Sequence, residues 1–114
     1  MAQLLYLWRE ERETGLASSE IQRRLDADED VDGLADLPIK EMIDRLKSEF
    51  PGCKESAGQL VWMSGEERFR ATWTWQYMRL DSDNLNDEHR DKFFELARNF
   101  GCPAYDPQMN LKLR

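Results

Sequence analysis

Four groups of residues in this chain have types and spacings that could support chemistry. Asp28-x-Asp30-x-Asp32-Gly33 matches the first half of a calcium loop. Oxygen ligands at positions 1, 3 and 5 with glycine at 6 suit a hard cation, and Asp36 falls at position 9. Position 12 calls for a bidentate glutamate, but Ile39 stands there, and Pro38 carries the backbone off into a helix. The segment therefore reads as a solvated acidic loop. Asp28, Asp30, Asp32 and Asp36 are the candidates for a cation, and no metal site is expected. His89 is the single histidine, placed beside Glu88 and Asp91 in the first turn of a helix. No serine, cysteine or second histidine accompanies it at a defined spacing, so it reads as a surface residue rather than a general base. Cys53 and Cys102 each follow a helix stop. A catalytic thiol needs a base or a cationic setting, and only Lys54 adjoins Cys53, so both read as structural thiols. One histidine and no Cys-x-x-Cys leave no ligand set of the zinc type. Trp73, Trp75 and Tyr77 alternate as a base-stacking platform would. Two apolar helix stripes need a cover, however, and this aromatic face is the best one available, so it reads as core. There is no glycine-rich phosphate loop. The chain is expected to be non-enzymatic, with no catalytic residues and no cofactor.

The elements that carry these residues follow from hydrophobic periodicity. Gln3 to Trp8 has apolar groups on both faces and reads as a central strand. Ser19 and Gln22 suggest a capping box that opens a short helix, with Ile21 and Leu25 on its inner face and its end near Asp28. Pro38 suits the first residue of the main helix, whose stripe is Ile39, Met42, Ile43, Leu46 and Phe50, stopped by Pro51-Gly52. Gln59 to Met63 and the alternating run Phe69 to Leu80 form a hairpin around Gly65-Glu66-Glu67. Asn86 or Asp87 caps a third helix with Phe93, Leu96, Ala97 and Phe100 inside, ended by Gly101. Cys102 to Tyr105 and Leu111 to Leu113 are short strand candidates. One α+β domain over residues 1–114 is expected. Its layout is a ferredoxin-like β-α-β-β-α-β sandwich, with an antiparallel sheet, helices on one face and an extra short helix before the main one. The uncovered sheet face would then carry Leu5, Leu7, Val61 or Leu60, Thr72, Thr74, Gln76 and Met78.

Composition limits the partners. The 114 residues carry 16 basic and 23 acidic side chains, for a net charge of −7. That argues against general nucleic-acid binding and against anionic membranes, both of which need a basic face. No apolar run approaches the ~20 residues of a membrane span, and no signal-peptide core is present. Two cysteines without a signal fit a reducing, cytoplasmic setting. The acid is uneven. Asp26, Asp28, Glu29, Asp30, Asp32 and Asp36 follow one another with no base between them, and residues 1–57 hold −6 of the −7. An acidic surface of this kind selects basic protein partners and speeds their association. Asp26, Asp28, Glu29, Asp30 and Asp32 are the candidate partner-binding residues. The open sheet face is a second docking candidate, for a partner or for a second copy in a weak homodimer.

Three segments are familiar together: Tyr6-Leu7-Trp8, the Val31 to Phe50 stretch with its Leu-Pro start and Phe-Pro-Gly end, and Phe100-Gly101-Cys102-Pro103-Ala104-Tyr105-Asp106-Pro107-Gln108. They resemble a family of small, uncharacterised bacterial proteins. The resemblance implies no reaction. Short acidic proteins of this type look like immunity or accessory proteins. Asn110 stands where that family has a glycine. The expected function is thus a non-enzymatic, immunity-like or accessory protein-binding module. The alternative is a metal- or small-ligand-binding domain using the acidic loop 26–36.

Overall fold

The computed structural model describes residues 2–113. The chain is α+β, with three helices and one seven-stranded antiparallel sheet in the order β2-β3-β4-β5-β1-β6-β7. The strands are β1 (Ala2–Leu7), β2 (Lys54–Ser56), β3 (Gln59–Ser64), β4 (Glu67–Trp73), β5 (Met78–Asp83), β6 (Ala104–Asp106) and β7 (Leu111–Leu113). The helices are α1 (Ser18–Asp26), α2 (Ile39–Glu49) and α3 (Asp87–Asn99). As its two apolar faces require, β1 is internal, paired with β5 on one side and β6 on the other.

The strand order is not ferredoxin-like. The run from Phe69 to Leu80 is two strands, because Thr74 to Tyr77 fold into a turn. The Thr74 amide donates to the Tyr77 carbonyl at 3.0 Å, and the Gln76 amide donates to Thr74 Oγ1 at 3.2 Å. Such hydroxyl-to-backbone bonds offer the chain a turn in place of the ladder. The consequence is topological. In the ferredoxin-like layout a single hairpin carries the chain back to the first strand, which the third strand meets antiparallel. Here the split run and the short, unexpected β2 add two strands to that hairpin, so it is β5 that meets β1 antiparallel. The result is a four-strand meander, β2 to β5, joined to β1.

The helices also divide between the two faces of the sheet. On one face α2 and α3 cover Leu5, Leu7, Leu60, Trp62, Phe69, Ala71, Met78 and Leu80. Met42, Ile43 and Leu46 supply the α2 stripe, and Phe93, Leu96 and Ala97 that of α3. Phe50 is central, its ring 4.7 Å from Phe69, 5.0 Å from Trp62 and 5.7 Å from Phe93 by centroids. On the opposite face α1 covers a second cluster, in which Ile21 and Leu25 meet Tyr6, Trp8, Val31, Leu34, Tyr77 and Tyr105. The reason lies in β1: with Tyr6 and Trp8 pointing away from α2 and α3, a second apolar cover is needed. The α1 start differs from the capping-box expectation, since its N-cap is Ala17 with no side-chain cap.

These placements revise the expected open face. Leu5, Leu7, Leu60 and Met78 are buried under α2 and α3. Thr74 and Gln76 lie in the turn, whereas Val61 and Thr72 do share the second face. Of the aromatic set, Trp73 packs against the main core, Tyr77 joins the second cluster, and Trp75 stands 50% exposed.

Candidate functional site

The acidic segment between α1 and α2 is held at several points. Its Gly33 carbonyl accepts from the Glu11 amide at 2.8 Å, and the Ala35 amide donates to the Arg9 carbonyl at 2.7 Å. Gly33 has φ +101°, and a Cβ there would sit 3.1 Å from Thr14 Cγ2 and 3.2 Å from the Arg12 carbonyl oxygen. Only glycine allows that approach. A clamp from the β4–β5 turn then fixes the middle of the segment. The Val31 amide donates to Gln76 Oε1 at 2.8 Å, and Gln76 Nε2 donates to the Val31 carbonyl at 3.0 Å. Gln76 and Val31 are both buried, so this pair satisfies two backbone groups that water cannot reach. Beside it the Trp75 indole donates to Asp30 Oδ1 at 3.1 Å, and the Leu37 amide donates to the Trp75 carbonyl at 2.8 Å.

The candidate acids occupy different settings along this segment. Asp26 closes α1 and accepts from the Tyr6 hydroxyl at 2.7 Å, with Arg79 at 3.5 Å. Burial, then the hydrogen bond to Asp26, pushes the Tyr6 phenol above its ordinary range. Asp28 takes a left-handed backbone (φ 59°) and is exposed with Glu29. Asp30 is bound to Trp75, and Asp32 pairs with Arg12. Asp36 contributes only its carbonyl oxygen, to Arg9. Among the described residues, no three His, Cys, Asp or Glu side chains converge as a metal ion needs. The contacts show the physical reason: the segment is tied backward to residues 9–12 and to the turn, which aims its carboxylates outward. What the fold assembles is an ordered acidic ridge with a half-exposed indole beside it.

His89 is not the free surface residue that its neighbours in sequence suggest. Its ring lies 5.2 Å from Trp62 and 5.4 Å from Phe50, and Nδ1 is 2.8 Å from Glu67 Oε1. The same Glu67 oxygen accepts from the Asn86 amide at 2.8 Å, while Asn86 Oδ1 accepts from the His89 amide at 2.7 Å. Glu67, Asn86 and His89 thus close the N-terminus of α3 onto β4. The Asn86 amide, followed by His89, holds the Glu67 carboxyl below the usual range. Both cysteines are free. The Cys53 thiol donates to the Phe50 carbonyl at 3.0 Å and the Cys102 thiol to that of Phe100 at 3.7 Å. Burial raises both thiols, Cys102 to about 11, which favours the unreactive protonated form. Residues 53 and 102 adjoin β2 and β6, five inter-strand steps apart in this sheet, or about 24 Å at ~4.8 Å per step.

Sequence reasoning found the acids but not Trp75 and Gln76, which it placed on a continuous strand. One signal was available: Phe69 to Leu80 spans 12 residues, about twice the common strand length of ~5–6. No known family profile matches this chain, and comparison with curated proteins returns no relative.

Proposed function

We propose that this protein is a non-enzymatic protein-binding module, immunity-like or accessory, that engages a basic protein through the acidic segment 26–32 and Trp75. One observation carries the reading: a 50% exposed tryptophan is anchored in the middle of a braced acidic segment. Tryptophan is among the strongest interface anchors, and a pre-ordered loop loses little entropy on binding. An indole face next to carboxylates suits arginine or lysine, which can stack on the ring and pair with the acids together. The net charge of −7 would assist encounter with such a partner.

The test is affinity capture from the source cell, read by mass spectrometry, with three baits: the parent, Trp75→Ala, and Asp28→Asn/Asp30→Asn/Asp32→Asn. A basic protein is expected on the parent, released by rising salt and lost from both variants. Equal recovery of every bound protein on all three baits would overturn this reading.

A further inference from the structure

The face of the sheet that carries α1 is only half covered. α1 lies over β1 and its neighbours, while β3, β4 and β5 expose Gln59, Val61, Met63, Arg68, Arg70 and Asp81 to a shallow concavity of about 420 Å³. Met63 is 68% exposed. Pairing register sets Lys54, Val61, Arg70 and Asp81 in one row across four strands, all on this face. The charges in that row are unbalanced. Asp81 lies opposite Arg70 but is engaged by Arg79, whose Nε is 3.1 Å from its Oδ2. Arg68 is paired with Asp83 at 2.9 Å. Among the described residues, neither Arg70 nor Lys54 forms an ion pair or side-chain hydrogen bond. A chain with seven excess negative charges therefore leaves two cations unpaired on either side of a half-buried valine.

The covered half shows what suits this surface. There an amphipathic helix sets Ile21 and Leu25 on the sheet, and Asp26 at its end meets Arg79 of β5. The uncovered half offers similar chemistry without a cover: apolar Val61 and Met63, with Arg70 and Lys54 lacking carboxylates. Its size fits the same kind of occupant. Three strands span about 14 Å, and six residues along them about 20 Å. A helix about 10 Å wide and ~13 residues long fills that footprint. The area, roughly 280 Å² in projection, is small against the ~800 Å² per partner of a standard stable interface. A second copy docked face to face would be limited to that patch, because α1 stands beside it.

We propose that the β3–β4–β5 half of this face docks an acidic amphipathic helix from a partner chain, seating apolar side chains on Val61 and Met63 and carboxylates on Arg70 and Lys54. This surface is separate from the acidic segment and Trp75, and the proposal stands or falls independently of that reading.

The probe is a fluorescein-labelled, side-chain-stapled 14-residue helical peptide, with leucines at i and i+4 and glutamates flanking them. Its control carries lysine at each glutamate. Fluorescence anisotropy against the parent is expected to show saturable binding of the acidic peptide, at least about tenfold tighter than the lysine control. Lys54→Gln/Arg70→Gln should weaken the acidic peptide about tenfold, and Val61→Asp should abolish its binding. Trp75→Ala should leave it unchanged. These are exposed or partly exposed sites, and circular dichroism and thermal melts verify that each variant is folded. Equal binding of both peptides, no binding at millimolar concentration, or no effect of Val61→Asp would overturn the proposal. So would sedimentation velocity showing a parent dimer that Lys54→Gln/Arg70→Gln dissolves, since the occupant would then be a second copy.

Discussion

Gln76 is the sharpest point at which to test how the acidic segment is held. Replacing it with leucine keeps a similar bulk but removes both hydrogen bonds to Val31, at 2.8 and 3.0 Å. Each such bond contributes about 1 kcal/mol net, and each buried backbone group left unpaired costs about 1–3 kcal/mol. Val31 is 1% exposed, so water cannot replace the lost partners without local opening. The apolar leucine recovers part of the loss, which leaves an expected destabilisation of about 3 kcal/mol. With a urea slope of about 1.5 kcal/mol per molar, the unfolding midpoint should fall by about 2 M. The assay is equilibrium urea unfolding, followed by fluorescence and circular dichroism. Hydrogen exchange at the Val31 amide provides a local readout and should accelerate well beyond amides in β1. Gln76→Asn, one methylene shorter, should reach only one of the two groups and fall between parent and leucine variant. A loss below about 0.5 kcal/mol for Gln76→Leu, as at ordinary surface sites, would refute the reasoning. Val31 would then have other partners, and the turn would not brace the segment.

Three further outcomes are expected. Phe50→Ala should cost about 3–5 kcal/mol, as large-to-small core changes do, and Trp73→Ala clearly less, because Phe50 is fully buried and Trp73 only partly so; parallel urea unfolding of the two variants compares them. The Cys102 thiol is raised by burial from 9.0 to about 11, so the stability it contributes is complete below pH 9 and is lost as pH climbs toward 11. Cys102→Ala should flatten the alkaline decline in stability over that window, and the parent thiol should resist a thiol reagent at pH 8 until the protein is unfolded. The Glu67 carboxyl is lowered by the Asn86 amide and then by His89, so its contribution is present above pH 4.5 and is lost as pH falls through the lower folded value. Glu67→Gln should make unfolding less dependent on pH on the acid side, measured as the urea midpoint between pH 5 and 3.

The α2 stripe of Met42, Ile43 and Leu46, the α3 stripe of Phe93, Leu96 and Ala97, a cap for α3 at Asn86 or Asp87 and the internal position of β1 were all legible from residue order. Each rests on a local period or on a single capping side chain, and period and capping are properties of neighbours in the chain. The acidic character of residues 26–36 was equally plain, since charge needs no fold to be counted. Topology was not local. Whether Phe69 to Leu80 is one strand or two depends on Gln76 finding the Val31 backbone, a contact across 45 residues. Alternation alone cannot report it. That turn splits the run into β4 and β5, and together with β2 it replaces the single hairpin of the ferredoxin-like layout by a four-strand meander. The side of the sheet taken by α1 was likewise a tertiary choice. Ile21 and Leu25 would suit either face, and the demand came from Tyr6, Trp8, Tyr77 and Tyr105, brought together from β1 and its end, β6 and the β4–β5 turn. The same choice decided both surfaces. It left Trp75 standing beside the acids, and it left Val61, Met63, Arg70 and Lys54 uncovered, because a helix of nine residues covers only half of a seven-stranded sheet.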